Sequence, residues 1–188
     1  MIVDVPGFMA DLKNYAIEHG FHVHDERHFI ETYTMRQAFE IDLHPESACG
    51  GPVDLQLSLD LEPRTLMAFE DEIVMLADDA SPSDDLTFDL LFTWQLPPLV
   101  HGPDLLVLAT DLAGISGTEL PTQVSAMDSF TDVTDEAERS LGVVSRLEVP
   151  LAVLFNGDEN SIICDALDRC CEVSEYLLNQ VPAWLGSD

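Results

Sequence analysis

The sequence predicts an α+β fold in which an antiparallel sheet of about four to five strands carries helices mainly on one face and ends in a long C-terminal amphipathic helix. Three observations predict it. Several segments alternate apolar and polar residues with period two, as half-buried antiparallel strands do, instead of running continuously apolar like parallel strands. Other segments repeat their apolar residues at helical spacing. The chain has 188 residues, 46% of them hydrophobic, which suffices to bury a core without disulfides or metals. Residues 1–188 are expected to form one domain, since neither an internal repeat nor a linker interrupts the pattern.

Phe8, Leu12, Tyr15 and Ala16 share one helical face, and Gly20 stands where that helix would stop. From Phe29 to Leu43 the period changes to two, with Tyr33, Met35, Phe39, Ile41 and Leu43 on one side, which predicts a half-buried strand. After the turn at Cys49-Gly50-Gly51-Pro52, alternation resumes through Val53, Leu55, Leu57, Leu59 and Leu61, so the two strands are expected to pair as an antiparallel hairpin. Pro63 closes the second strand, and Leu66, Phe69, Ile73, Leu76 and Ala77 then form a helical stripe.

A further strand runs through Leu86, Phe88, Leu90, Phe92, Trp94 and Leu96 to Pro97-Pro98. Pro103, Leu105, Leu108, Leu112 and Gly114 mark a short helix, and the signal from Ile115 to Phe130 is weak. Thr134 to Leu141 reads as a short helix, and Val143 to Phe155 as a strand whose Pro150 suggests an edge or a bulge. Ile163, Ala166, Leu167, Cys170, Val173, Leu177 and Val181 form a long helical stripe that Pro182 is expected to end.

Charge is the most unusual property of the chain. Thirty-six acidic residues face seven basic ones, giving a formal net charge of −29, and Lys13 is the single lysine. Nucleic-acid affinity depends on Lys and Arg displacing counterions from phosphates, so neither nucleic acid nor an anionic membrane is expected as a direct partner. An acidic surface also serves solubility alone. Residues 1–21 carry no basic region and no uninterrupted apolar run, and no later segment approaches the ~20 apolar residues of a membrane span, which predicts a cytoplasmic location. Of the four cysteines, three (Cys164, Cys170 and Cys171) fall in one apolar segment and read as reduced core thiols, with metal binding or oxidation sensing as the alternative.

The sequence holds no Gly-rich phosphate loop, no G-x-S-x-G elbow, no H-E-x-x-H and no C-x-x-C, so the common sequence-readable enzyme classes find no support, and no cofactor is expected. The candidate for metal chemistry is Phe21-His22-Val23-His24-Asp25-Glu26-Arg27-His28. In a strand His22 and His24 would point to one face, a spacing that lets two imidazoles reach one divalent ion, with His28 or a neighbouring carboxylate as a further ligand. The segment resembles the H-x-H-x-D-H pattern of metallo-β-lactamase-like hydrolases, with the aspartate and third histidine out of step. Such a resemblance implies a small metal-dependent hydrolase.

Two acidic clusters, Asp78, Asp79, Asp84 and Asp85, and Asn156 to Asn160, lack the ligand spacing of a calcium loop and read as a solvated loop and a helix entry. Trp94 reads as core, and Trp184 with Leu185 as a clamp or a contact for a second copy of the chain.

Three functions remain. The first is a non-enzymatic protein-binding module, chaperone-like or regulatory, holding a basic or aggregation-prone partner; the order helix, strands, helix, strand, long final helix is loosely similar to that of small acidic secretion-type chaperones. The second is a nucleic-acid mimic that inhibits a DNA-binding protein, since a domain about 40 Å across matches a duplex length carrying roughly 24 phosphates. The third is the metal-dependent hydrolase. The sequence favours the first, because the carboxylates are spread over the polar faces of ordinary amphipathic elements.

Overall fold

The computed structural model describes residues 3–77, 80–130, 132, 134, 137–156 and 161–186. Asp78, Asp79 and residues 157–160 of the two acidic clusters lie outside them. The elements run α1 (Val5–Glu18), β1 (Phe21–Ile30), β2 (Gln37–Pro45), a 3-10 turn (Glu46–Ala48), β3 (Asp54–Leu61), α2 (Pro63–Met75), β4 (Thr87–Gln95), α3 (Leu105–Ser116), β5 (Thr122–Ser129), β6 (Glu138–Pro150), the single turn α4 (Val153–Asn156) and α5 (Ser161–Leu185). The fold is α+β with an antiparallel sheet, as expected, but among the described residues the sheet has six strands instead of four or five, in the order β1-β2-β3-β4-β6-β5.

Alternation sets which face is buried. Leu43 pairs with Leu55, Leu55 with Trp94, Trp94 with Val143 and Val143 with Val124, so one row of apolar side chains crosses five strands on the same face. Parallel rows through Ile41, Leu57 and Phe92 and through Phe39, Leu59, Leu90 and Leu147 complete that face, and all of these are buried. They form one core with Phe8 and Leu12 of α1, Phe69 of α2, Leu108 and Leu112 of α3, and Ile163, Leu167, Val173 and Leu177 of α5. The Trp94 indole N–H donates to Ser174 Oγ at 2.8 Å, and Ser174 donates to the Cys170 carbonyl at 2.7 Å, so the polar tip of the largest buried side chain is satisfied.

The helix ends follow their local chemistry. Asp4 caps α1 by accepting from Gly7 N at 2.9 Å, and Asp104 caps α3 by accepting from Leu106 N and Val107 N. Gly117, at φ +69°, ends α3 in a backbone conformation that side chains rarely adopt. Pro182 does not end α5, which continues to Leu185. In the last turn the ring removes one backbone donor without disrupting the packed stripe before it.

Other sequence expectations change as well, among them the strand expected over Val143 to Phe155, which stops at Pro150 before the helical turn Val153–Asn156. Phe29 to Leu43 is not one strand: β1 ends at Ile30 and a turn follows, with Glu31 and Arg36 bonded across its neck (Glu31 N to Arg36 O, 2.9 Å) and Met35 at φ +59°. Tyr33 and Met35, expected inside, are 97% and 73% exposed in that turn. Glu138 to Leu141 is strand, not helix, because pairing with β5 on one side and β4 further along overrides the helix-forming residues. Pro150 marks no bulge: it is the last residue of β6, opposite Thr87, and because β5 pairs with β6 only as far as Ser145 it has a strand neighbour on the β4 side alone, a local edge such as the proline suggests. No helix among the described residues is long and apolar enough to cross a membrane.

Tyr176 of α5 donates to Asp111 Oδ2 of α3 at 2.7 Å. Burial, and then the bond to that carboxylate, pushes the phenol from 10 up to about 12. The folded chain therefore keeps a proton that the unfolded chain loses, so the contribution to stability is fully present below pH 10 and is lost as pH rises toward about 12. Alkaline titration of tyrosinate absorbance is expected to show a phenol ionising near 12 that disappears in Tyr176→Phe. That variant should also lose less stability than the parent across the same interval, measured by denaturant unfolding.

Candidate functional site

Among the described residues no helix lies over the second face of the sheet. Along β2, β3, β4 and β6 the residues that alternate with the core are half-buried or exposed, none fully buried. One cross-strand row runs Asp25, Asp42, Gln56, Thr93, Val144. The next runs Arg27, Glu40, Ser58, Leu91, Arg146, and the third Phe29, Ala38, Asp60, Asp89, Glu148. Six strands at the usual ~4.8 Å spacing make this surface about 24 Å wide.

Arg27 organises its β1–β2 edge. The guanidinium donates through Nε to Glu40 at 3.0 Å, through Nη2 to Asp42 at 2.8 Å and through Nη1 to Asp25 at 3.0 Å. Asp42, and after it Glu40, holds Arg27 above its usual pKa. Arg146 is likewise raised, by its bond to Asp89 at 2.6 Å, and Arg36 pairs with Asp60 at the rim. Elsewhere Lys13 pairs with Glu26, Arg139 with Asp128 and Arg169 with Glu172. Six of the seven basic residues are thus already held by carboxylates of the same chain.

The end of this face nearest the β1–β2 pair holds the histidines. His22 lies opposite His44, and the register then shifts between Val23 and Asp25, so His24 is an inserted residue. The bulge turns His24 onto the His44 ring, with centroids 4.3 Å apart at 69°. His44 Nε2 lies 2.7 Å from Asp54 Oδ1, while its Nδ1 is buried without a hydrogen-bond partner. His24, Arg27, Asp42, His44, Asp54 and Gln56 line a shallow concavity of about 310 Å³.

The same bulge separates the third histidine of the motif. In an unbroken strand His22, His24 and His28 would share a face, but one inserted residue reverses the phase of all that follow. His28 therefore pairs with Phe39 and stacks on its ring, centroids 4.0 Å apart at 10°, on the face opposite His22 and His24. Among the described residues no group of three His, Cys, Asp or Glu is disposed to hold a metal ion. His22 instead sits between Cys49 Sγ, 3.0 Å from Nδ1, and Glu46 Oε1, 3.5 Å from Nε2. No local pattern in the sequence joins Cys49 or His44 to this segment; the Cys49-Gly-Gly-Pro turn, which returns the chain to the end of the hairpin, is the one signal of their approach.

The remaining cysteines are free thiols within α5. Burial raises Cys170 well above its usual pKa, and burial followed by neighbouring carboxylates raises Cys164 and Cys171.

Replacing Arg27 by Met is expected to leave Asp25, Glu40 and Asp42 facing each other without a cation. The melting temperature should fall, and by more at low than at high ionic strength, because salt screens the released repulsion. Adding Asp42→Asn should recover part of the loss, read by differential scanning calorimetry.

Compared with protein-family models, curated proteins and solved structures, the chain shows no match.

Proposed function

We propose that this chain is a non-enzymatic protein-binding module of the cytoplasm that holds a basic, partly apolar segment of a partner protein across the open face of its sheet. The observation that carries the reading is that face: a broad surface in which Asp25, Glu40, Asp42, Asp60, Asp89 and Glu148 outnumber the arginines among them. Arg27 and Arg146 are engaged with their own carboxylates, so the excess charge available to a partner is negative.

Shape supports the same class. The concavity at the histidine end is shallow and polar, unlike the enclosed, largely apolar sites that bury small ligands. Apolar residues are interspersed on the face, with Phe29 at its rim 49% exposed and Leu91 half-buried at its centre. Cationic side chains with adjacent apolar ones would match this mixture, the charges setting encounter rate and register and the apolar contacts slowing release. Thiols rather than disulfides at all four cysteines agree with a reducing compartment.

An arginine- and leucine-containing peptide titrated into the protein by calorimetry tests the proposal. Binding should weaken as salt rises, and Asp60→Lys, Asp89→Lys and Glu148→Lys together should weaken it at least about tenfold, or 1.4 kcal/mol. A variant with the same charge change on the helical layer, Asp11→Lys, Glu18→Lys and Asp165→Lys, should lose far less. Equal losses in the two variants would mean attraction to net charge alone and would overturn the assignment to the sheet face.

A further inference from the structure

We propose that Cys49 is a nucleophilic thiol with His22 as its base, and that it takes up low-molecular-weight disulfides by thiol–disulfide exchange. His22 stands at the start of β1 opposite His44 near the end of β2, and the 3-10 turn that leaves β2 is pinned back to the same place by Glu46 N donating to the Gly20 carbonyl at 2.9 Å. That turn brings two side chains to one imidazole, Cys49 Sγ 3.0 Å from Nδ1 and Glu46 Oε1 3.5 Å from Nε2.

With the carboxylate beside Nε2, the tautomer carrying its proton there is favoured, which leaves the Nδ1 lone pair facing the thiol. A nucleophile within reach of a base that is itself oriented by a third group is the recurring arrangement of activated thiols and hydroxyls. Access accompanies it. Cys49 is exposed and His22 is about half exposed, so an incoming disulfide can reach the pair from solvent.

The other thiols lack this combination. Cys170 is fully buried, and Cys164 and Cys171 are disfavoured as thiolates by burial and by the acids around them.

The Cys49 S–H proton passes to His22 Nδ1 as the sulfur attacks one sulfur of the disulfide. A new S–S bond forms, the old one breaks, and the departing sulfur leaves with the bonding pair as a thiolate. Cys49 is thereby oxidised to a mixed disulfide and the departing half is reduced.

Reaction of the folded full chain with dithiobis(nitrobenzoate) in the presence of EDTA, followed by release of the coloured thiolate and by peptide mass mapping, tests this. The first adduct is expected on Cys49, and the fast phase should vanish in Cys49→Ser. In His22→Ala it should slow about tenfold or more, the low end for a positioned base at an exposed site, and free imidazole should restore part of it. Replacing the exposed His101 by Ala should change nothing. Circular dichroism checks that His22→Ala is folded, and His22→Gln, which keeps a polar side chain of similar size, supplies a second reading. A Cys49 rate equal in the parent and in both His22 variants, or a first adduct on Cys164 or Cys171, would overturn the proposal.

Discussion

The structure depends on the phase of alternation being held in common across the sheet. Leu43, Leu55, Trp94 and Val143 occupy one row because β2, β3, β4 and β6 pair in matching register, and a slip of one residue in any of them would move its whole apolar set to the wrong side. Trp94 makes that register costly to change, since its ring is buried and its N–H is bound to Ser174 in the middle of α5. The final helix is therefore keyed to the central strand by a buried polar contact as well as by its apolar stripe. With α1 and α3 flanking it, the helices cover one face and leave the other to solvent.

The uncovered face follows from the same constraint, because every residue that alternates with a core residue must point there. Asp25, Glu40, Asp42, Asp60, Asp89 and Glu148 stand at such positions and are neutralised only in part. Arg27 binds three of them, Arg146 one and Arg36 one, so that cations work as internal braces and not as a surface offered to phosphates. The proposed binding reading joins this electrostatic asymmetry to the breadth and shallowness of the face. The thiol proposal rests on a different feature, the return of the β2–β3 turn to the beginning of β1, and either reading stands without the other.

The central strands were legible in the sequence because their two faces see opposite environments. Val53 to Leu61 and Leu86 to Leu96 alternate cleanly, and the structure places β3 and β4 there. Edge strands carry less signal. In β1 only Phe21 is buried, so a run such as His-Val-His-Asp-Glu-Arg-His shows no apolar period, and β5 has only half-buried Val124 and Ala126 to mark its inner side. The candidate site was partly legible for a related reason. His22 and His24 do share a face, but the bulge that sends His28 to the other one is a property of pairing with β2, as is the meeting of His24 with His44. Contacts across strands of such different sequence separation leave no local trace, and neither does the approach of Cys49 to His22 across 27 positions.

Hydroxyl-radical footprinting with and without an arginine-rich peptide tests the one-sided sheet most directly. The account predicts that Phe29, Leu91 and His24 are modified in the isolated chain while Phe92, Leu90 and Trp94 are protected, and that the peptide protects the first set without altering the second. Protection of Phe29, Leu91 and His24 in the isolated chain would contradict it, because the face would then already be covered, and so would a peptide footprint confined to the helical layer.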